Sequence, residues 1–311
     1  MTAPAVRVFT REGLGEIVAV LEVELAAGAS ELTLRVLDPD HGAGRYAGEL
    51  VDDHVHRPWR VWVDLAERLG LRIATPRACP RGAGVPLVEL RFQRLDPAAR
   101  MAPRLAGGAD VTEKYGTGSA FARISKLEDP GFLLDFTDAI ARAKLPPRPR
   151  VLDLGVNRGD ELALLQARLP DATCTGIDHS ASALAEARRR CPAAQLIEGD
   201  LARLPELGLG AFDLIVSIGT LQSAGLDDRA VLRQLVQHHL ATAGAVIFGF
   251  PNCRYIDGEV EHGTRMKNFT QPELGLLIKD IAFYRKYLQQ HGRQVFVTGK
   301  HYVLVTGVRV G

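Results

Sequence analysis

Three aspartates lie near or at the ends of three successive apolar runs in the middle of the chain. Asp153 lies within 151-VLDL-154, and Asp178 and Asp200 close the next two runs. A carboxylate can accept hydrogen bonds from hydroxyl and amino groups of a ligand, although a lone strand-terminal aspartate is usually a helix N-cap. Packing does not require all three acids. Their repetition therefore indicates a binding site for a ligand that carries hydroxyl and amino groups.

A glycine-containing turn comes directly after the first of these aspartates. The segment 151-VLDLGVNRGDELALL-165 runs from a strand through Gly155, Asn157 and Gly159 into a helical pattern. Glycine adopts positive φ and lets the backbone approach a ligand closely, and asparagine tolerates the left-handed region. In an open α/β sheet, ligands bind beyond the carboxyl ends of the strands, where the strand order reverses. We therefore expect this turn to contact the ligand.

The residue types suggest how such a ligand is held. Asp178 is placed to accept both hydroxyls of a ribose, and His179 is expected beside the same nucleoside. Asp200 is placed to accept from an adenine amino group, with the backbone of Leu201 beside it. The fourth strand, 212-FDLIVSIG-219, ends in small and polar residues, and Ser217 is expected to contribute to the site.

These residues resemble the class I S-adenosylmethionine-dependent methyltransferase family, over about 150–310. The matching features are the first motif at 151–159, the ribose acid Asp178, the adenine acid Asp200, the fourth motif at 212–222 and the final hairpin at 294–309. Asn157 departs from the family pattern, which has glycine there. The resemblance implies a Rossmann-like sheet, S-adenosyl-L-methionine as the cofactor, and methyl transfer.

A nicotinamide or flavin site is the competing interpretation of the same turn. The fingerprint G-x-G-x-x-G would place Asn157 and Asp160 at its second and third glycines. An acid at the third position is unfavourable beside an anionic pyrophosphate. The cofactor implied by the resemblance has a cationic sulfur and no phosphate, so the sequence favours that cofactor.

Strand-like and helical patterns alternate from residue 151 onward. The predicted strands are 151–154, 173–178, 195–200, 212–219, 244–250, 294–299 and 301–309. Alternation of this kind implies parallel strands with crossover helices on both faces. The last two strands are joined by a tight turn and must pair antiparallel. The predicted fold is therefore α/β, a doubly wound and mostly parallel sheet with a C-terminal antiparallel hairpin.

Residues 1–105 are predicted to form a small α+β domain that recognises substrate or drives dimerisation, which makes a homodimer one option. The predicted elements are strands at 16–25, 31–37, 71–75 and 87–95 and a helix at 58–69. Residues 1–53 carry four arginines against ten acids, whereas 57–104 carry ten arginines against four acids. The second segment is either a solvated face or a phosphate-binding face.

Composition limits the class of protein. A chain of 311 residues with 46% hydrophobic and 24% charged residues suits two soluble globular domains. The apolar runs are too short to span a bilayer, and the first residues do not resemble a secretory signal, so a cytoplasmic protein is expected. Four isolated cysteines favour buried thiols over disulfides. His54 and His56 stand without a third ligand nearby in sequence, so no metal site is predicted.

The acceptor is expected near 251–271, a polar segment without clear periodicity that reads as a loop. Its candidate bases are His262 and Glu259, and its candidate substrate-binding residues are Arg254, Tyr255 and Arg265. Residues 106–150 are predicted to be a linker with a lid and a helix over 131–145, and Tyr115 is the candidate lid residue over cofactor or acceptor.

Three functions are compatible with this sequence. The leading one is a methyltransferase for a small-molecule acceptor. A second is an RNA methyltransferase whose arginine-rich segment holds phosphates, which predicts RNA binding that weakens steeply with salt. A third is a cofactor-binding subunit that has no activity of its own and stabilises a partner.

Overall fold

The computed structural model describes residues 6–80, 84–96, 125–223, 225–256, 259–262, 266–267, 271–272, 274–300 and 302–310. The chain divides into two compact units, Met1–Met101 and Ala102–Gly311. Within the described ranges, every helix is too short or too polar to cross a membrane.

The amino-terminal unit contains a mixed sheet with two helices. Its elements are β1 (Val6–Val8), α1 (Leu14–Ala26), β2 (Glu31–Leu37), β3 (Leu50–Val51), β4 (His54–Val55), α2 (Trp59–Arg68), β5 (Leu71–Ala78) and β6 (Leu87–Arg94). Over the described residues, the main sheet has four strands in the order β1-β2-β6-β5, and β3 and β4 form a separate hairpin. Strands β1 and β2 are parallel, whereas β6 is antiparallel to both of its neighbours. The small α+β domain expected from the sequence is confirmed.

One apolar core joins the helices of this unit to its sheet. Ile17 and Leu21 of α1 lie one helical turn apart and are fully buried. Trp62 and Leu65 of α2 are buried in the same way and share a cluster with β-strand residues such as Leu34. The helix predicted at 58–69 is thus confirmed, as are the strands predicted at 31–37, 71–75 and 87–95.

The strand predicted at 16–25 is wrong, because this segment belongs to helix α1. The helix begins after Gly13, whose backbone N–H donates to the Glu16 side chain at 2.7 Å. Parallel strands such as β1 and β2 need a crossover connection, which α1 supplies. The apolar positions of this segment fit both periods, and its tertiary role selects the helix.

The carboxyl-terminal unit alternates strands and helices. Its elements are a 3₁₀ turn (Lys126–Glu128), α3 (Pro130–Arg142), β7 (Arg150–Leu154), α4 (Asp160–Arg168), β8 (Thr173–Asp178), α5 (Ala181–Arg190), β9 (Gln195–Glu198), a 3₁₀ segment (Leu201–Leu207), β10 (Phe212–Ile218), α6 (Asp228–Gln234), a π-helical turn (Leu235–His239), β11 (Leu240–Pro251), β12 (Cys253–Ile256), β13 (Glu259–His262), β14 (Met266–Lys267), β15 (Gln271–Pro272), α7 (Leu274–Gln290), β16 (Arg293–Thr298) and β17 (Tyr302–Arg309).

A doubly wound sheet forms the centre of this unit. In the described part of the chain it has seven strands in the order β16-β17-β11-β10-β7-β8-β9. Strands β7 to β11 are mutually parallel, and β17 is antiparallel to both β11 and β16. The chain moves outward from β7 to β9 and then returns to place β10 on the other side of β7. The strand order therefore reverses between β7 and β10, where ligands bind in open α/β sheets. The predicted fold class is confirmed.

Two cores cover the two faces of this sheet. Leu214 and Val216 of β10 pack on one face with helices α3, α4 and α5. Phe212 and Ile215 pack on the other face with α6 and α7. Leu214, Ile215 and Val216 thus alternate between the two faces, and an irregularity between Phe212 and Leu214 changes the register before them.

The loop expected at 251–271 is wrong in part, because the segment contains strands. Strands β12 and β13 form an antiparallel hairpin in which Ile256 pairs with Glu259, and β14 pairs with β15. The sequence between Ile256 and Glu259 is Asp-Gly, which is a strong two-residue hairpin signal. The polar composition of the segment concealed this signal.

A cavity of about 420 Å³ lies at the amino-terminal edge of the sheet. Its lining includes Thr137, Lys144, Pro147, Arg168 and Pro170, from α3 and the segment after it, the approach to β7, the end of α4 and the approach to β8. This cavity is on the edge opposite to the carboxyl ends of the strands, so it is separate from the expected ligand site.

Candidate cofactor-binding site

The turn after β7 has the left-handed backbone that its sequence predicts. Gly155, Asn157 and Gly159 have φ values of 70°, 46° and 81°. The backbone N–H groups of Gly155 and Val156 both donate to the Ile177 carbonyl oxygen, at 2.8 and 3.0 Å. These bonds fix the turn to β8. Asn157 thus adopts the conformation for which glycine is the usual residue, as expected from its tolerance of positive φ.

Gly155 is also required by a close neighbour at the reversal of strand order. A Cβ atom at this position would lie 2.1 Å from the Thr220 Oγ1. Thr220 follows β10, and Gly155 follows β7, so the two strand ends meet here. Glycine is thus required by both conformation and space.

Asp178 supports the turn from the end of β8. One carboxylate oxygen accepts from the Asn157 backbone N–H at 2.8 Å, and the other accepts from the Ser180 N–H at 2.9 Å. The residue is 7% exposed. A carboxylate has about four acceptor positions, so these two bonds leave others unused, and their use by ligand hydroxyls stays a prediction. The His179 Nδ1 lies 3.6 Å from Asp178 Oδ1, and its side chain is 45% exposed.

Asp153 and Glu161 form a buried acidic pair below the turn. Asp153 is 3% exposed and Glu161 is 6% exposed. The Lys126 Nζ lies 2.6 Å from Glu161 Oε1, whereas Asp153 Oδ2 is buried without a hydrogen-bond partner in the described structure. Burial raises the pKa of Asp153 well above its usual value, and the charges of Glu161 and Asp178 raise it further, against the opposing effect of Lys126. The neutral form of Asp153 is therefore favoured, and only a nearby positive charge opposes this effect.

The other predicted cofactor residues have structural partners. Asp200 is the N-cap of the 3₁₀ segment that begins at Leu201, and its side chain accepts from the Ala202 N–H at 2.9 Å. Ser217 is buried, and its hydroxyl donates to the Leu154 carbonyl oxygen at 3.4 Å. Contact of these residues with a cofactor stays a prediction.

The predicted acceptor residues lie partly outside the described structure. The backbones of Arg254 and Tyr255 are in β12, and those of Glu259 and His262 are in β13. Their side chains lie outside the described part of the chain. Tyr115 and Arg265, and with them the lid, lie outside it entirely. The predicted helix of the 106–150 segment is confirmed as α3.

Three residues of the site escaped the sequence analysis: Lys126, Glu161 and Thr220. Lys126 lies far before the glycine turn in sequence, and no local pattern connects the two. Glu161 could have been predicted from the sequence, because it lies next to the buried position Leu162 in the first turn of α4. Thr220 belongs to the recognised fourth motif, but its contact with Gly155 depends on the order of the strands.

Comparison with known proteins identifies the domain that contains this site. Residues 151–244 match a family described as a methyltransferase domain. Trans-aconitate 2-methyltransferase of Paracidovorax citrulli is 34% identical over 48% of this chain and 55% of its own length. The enzyme of the same name from Delftia acidovorans is 33% identical over 48% and 54%. The chain thus spans about half the length of the curated relatives that it matches.

Solved structures give a weaker likeness. A putative methyltransferase in complex with the Haloferax volcanii Trm112 activator has a TM-score of 0.45 and 15% identity, over 66% of this chain and all of that one. An S-adenosylmethionine-dependent methyltransferase from Aquifex aeolicus has a TM-score of 0.44 and 15% identity, over 61% and 98%.

Residues 151–244 thus match a methyltransferase domain, and S-adenosyl-L-methionine is the cofactor that the sequence motifs imply. The residues of the site fit this cofactor. The unpartnered oxygen of Asp153 suits a cationic group, the unused acceptor positions of Asp178 suit hydroxyls, and the left-handed turn exposes backbone at the reversal of strand order.

Proposed function

We propose that this protein is an S-adenosylmethionine-dependent methyltransferase that acts on a small molecule with a carboxylate group. The observation that carries the proposal is the buried, unpartnered carboxylate oxygen of Asp153 below a left-handed turn at the reversal of strand order. The bound cofactor supplies a methyl group on a positively charged sulfur. A cation in this position stabilises the ionised form of Asp153, which burial and the charges of two neighbouring acids otherwise disfavour.

The names of the relatives support a carboxylate as the acceptor. The matched enzymes are trans-aconitate 2-methyltransferases, and a carboxylic acid is ionised near neutral pH. Its oxygen is already a nucleophile, so alignment with the methyl group supplies most of the acceleration. A general base is not needed for such an acceptor. Glu259 and His262 stay predictions for an acceptor that must lose a proton.

The full-length protein can be tested with S-adenosylmethionine labelled in its methyl group and trans-aconitate as the acceptor. We expect label in a methyl ester that mild alkali releases as methanol. The variant Asp153→Asn keeps the shape of the side chain and loses its charge, so kcat/KM should fall roughly ten- to a hundredfold. The matched control is Asp171→Asn, which changes a carboxylate at the opposite edge of the sheet.

A second arm tests other acceptors by fractionating a labelled cell extract. Label in other small carboxylic acids, with none in trans-aconitate, supports methyl transfer to a carboxylate and indicates an acceptor other than trans-aconitate. Incorporation confined to RNA contradicts the small-molecule proposal, and no incorporation together with no cofactor binding contradicts methyl transfer altogether.

A further inference from the structure

A second group of polar side chains lies at the carboxyl edge of the sheet, beside the glycine turn. Gly219 follows β10 directly, and Tyr302 begins β17 opposite Pro251, the last residue of β11. Thr220, the next residue after Gly219, closely approaches Gly155 of the turn. The ends of β10 and β11 and the start of β17 therefore place Gly219 and Tyr302 next to the reversal of strand order, on the side away from β8.

Two hydrogen-bond donors converge on Gly219. A Cβ atom at this position would lie 3.6 Å from Tyr302 Oη and 3.7 Å from Gln222 Nε2. Its nearest neighbour among the described atoms, apart from the adjoining chain, would be Tyr302 Cε1 at 3.5 Å, so the space accommodates an atom of a ligand. Gly219 has a φ of 76°, which disfavours any residue whose side chain would fill this space. All three residues are partly buried, so they lie outside the sealed core.

The two donors differ in how firmly the protein holds them. The Tyr302 ring packs edge-on against Phe132 at a centroid distance of 5.2 Å, and Lys126 Nζ lies 5.8 Å from its centroid. The Gln222 Oε1, in contrast, is buried without a hydrogen-bond partner among the described residues. Most buried polar atoms in folded proteins are hydrogen-bonded, so binding explains this amide better than support of the strand end does.

We propose that Gln222 and Tyr302 recognise the carboxylate of the acceptor, with the side-chain NH2 and the phenol hydroxyl as donors. This inference rests on the proposed function and names the acceptor subsite within it. The two donors approach one position, so a single carboxylate can accept from both. Because a carboxylate has about four acceptor positions, lone pairs remain for attack on the methyl group. Both donors are uncharged, so they orient the carboxylate without neutralising the charge that makes it a nucleophile.

Three variants test this subsite through the affinity for trans-aconitate. Gln222→Leu and Tyr302→Phe each remove one hydrogen bond to a charged group, so the Kd of trans-aconitate should rise roughly ten- to a hundredfold. Gln222→Glu keeps the size of the side chain and adds a like charge, so its loss of affinity should exceed that of Gln222→Leu. Calorimetric titration of the full-length protein loaded with S-adenosylhomocysteine measures this Kd. If the labelled extract identifies a different carboxylic acid as the acceptor, that acid replaces trans-aconitate.

The Kd of S-adenosylmethionine provides the readout that separates recognition of the acceptor from structural damage. It should stay close to the wild-type value in all three variants, because the glycine turn and Asp178 are unchanged. Tyr302→Phe keeps the ring and its packing on Phe132. If this variant does not fold, the two Gln222 variants still test the proposal.

A second glutamine–tyrosine pair supplies matched controls at the opposite edge of the sheet. Gln237 Nε2 donates to Tyr287 Oη at 3.3 Å, and Gln237 lies in the π-helical turn before β11. Gln237→Leu and Tyr287→Phe make the same chemical changes there. Both should leave the Kd of trans-aconitate and that of S-adenosylmethionine unaltered.

Four outcomes contradict the assignment. One is an unchanged Kd of the acceptor in all three variants. Another is a loss of affinity for S-adenosylmethionine with the acceptor affinity retained, which indicates that the two residues hold the cofactor. A wild-type protein that binds S-adenosylhomocysteine but neither binds nor methylates any carboxylic acid excludes a carboxylate subsite. If it binds neither S-adenosylmethionine nor S-adenosylhomocysteine, the proposed function itself is wrong, and the subsite falls with it.

Discussion

At the scale of single residues, the site combines backbone conformations that most residues disfavour with a buried carboxyl group. Asn157 holds positive φ while its N–H donates to Asp178. Gly155 combines positive φ with the close approach of Thr220. Asp153 is buried without a hydrogen-bond partner for one oxygen within the described residues. Features of this kind concentrate at functional sites, where a ligand or a neighbouring element compensates for them.

Replacement of Gly155 by alanine should be far more damaging than the same change at Gly208. Both residues have positive φ, but a Cβ at Gly208 meets nothing within 4 Å. Gly208→Ala should cost roughly 1–2 kcal/mol for the left-handed conformation alone. Gly155→Ala adds a clash of roughly 1–3 kcal/mol and should also weaken cofactor binding. Denaturant unfolding and calorimetry measure the two effects. Equal losses of stability would show that Thr220 simply moves aside.

Sequence reasoning found the residues that carry a local signal and missed those that do not. The glycine turn and Asp178 lie within recognisable strand–turn–helix patterns, so their placement was predictable. Lys126 and Thr220 reach the turn through tertiary contacts, and a single sequence has no local pattern that reports them. The candidate acceptor residues Arg254 and His262 were chosen by composition, and their roles stay predictions.

At the scale of elements, α1 shows why periodicity alone is insufficient. Its apolar positions fit a strand or a helix equally well, and the expected strand was wrong. The bond from the Gly13 N–H to Glu16 marks the helix start, and the same two residues are visible in the sequence. The central sheet was easier to predict, because its strands β7 to β11 alternate with clear helices. The hairpin of β12 and β13 was missed because its residues are mostly polar.

The start of α1 can be tested by Glu16→Ala. Loss of the side-chain acceptor leaves the Gly13 N–H without its partner, so the free energy of unfolding should fall by about 0.5–2 kcal/mol. Glu22→Ala, at an exposed position of the same helix, should change stability by less than about 0.5 kcal/mol. Urea denaturation followed by circular dichroism compares the two variants. A larger effect at Glu22 would contradict a capping role for Glu16.

At the scale of the whole molecule, the chain contains two compact units with separate apolar cores. The boundary predicted near residue 105 and the role of the first unit in recognition or dimerisation remain proposals. Some arginines of 57–104 have partners within that unit. Arg57 lies over the Trp62 ring, and Arg72 donates to Gln93. These contacts describe a structural use of arginine and leave the use of the others in phosphate binding as a prediction.

Separate cores predict two unfolding transitions in differential scanning calorimetry. S-adenosylmethionine at about a hundredfold excess over Kd should stabilise the carboxyl-terminal unit by about 2.7 kcal/mol. For a unit of this size, that corresponds to a rise in Tm of roughly 5–10 °C. The other transition should not move. A single transition that shifts as a whole would show that the two units unfold cooperatively.

The cavity beside Lys144 and Arg168 bears on the search for inhibitors. It lies at the amino-terminal edge of the sheet, lined in part by prolines, whereas the glycine turn lies at the carboxyl-terminal edge. A fragment that occupies it leaves the cofactor cradle open, so it does not compete with S-adenosylmethionine for the same space. Screening by displacement of a labelled cofactor analogue would overlook such a compound, whereas a screen by thermal shift would register it.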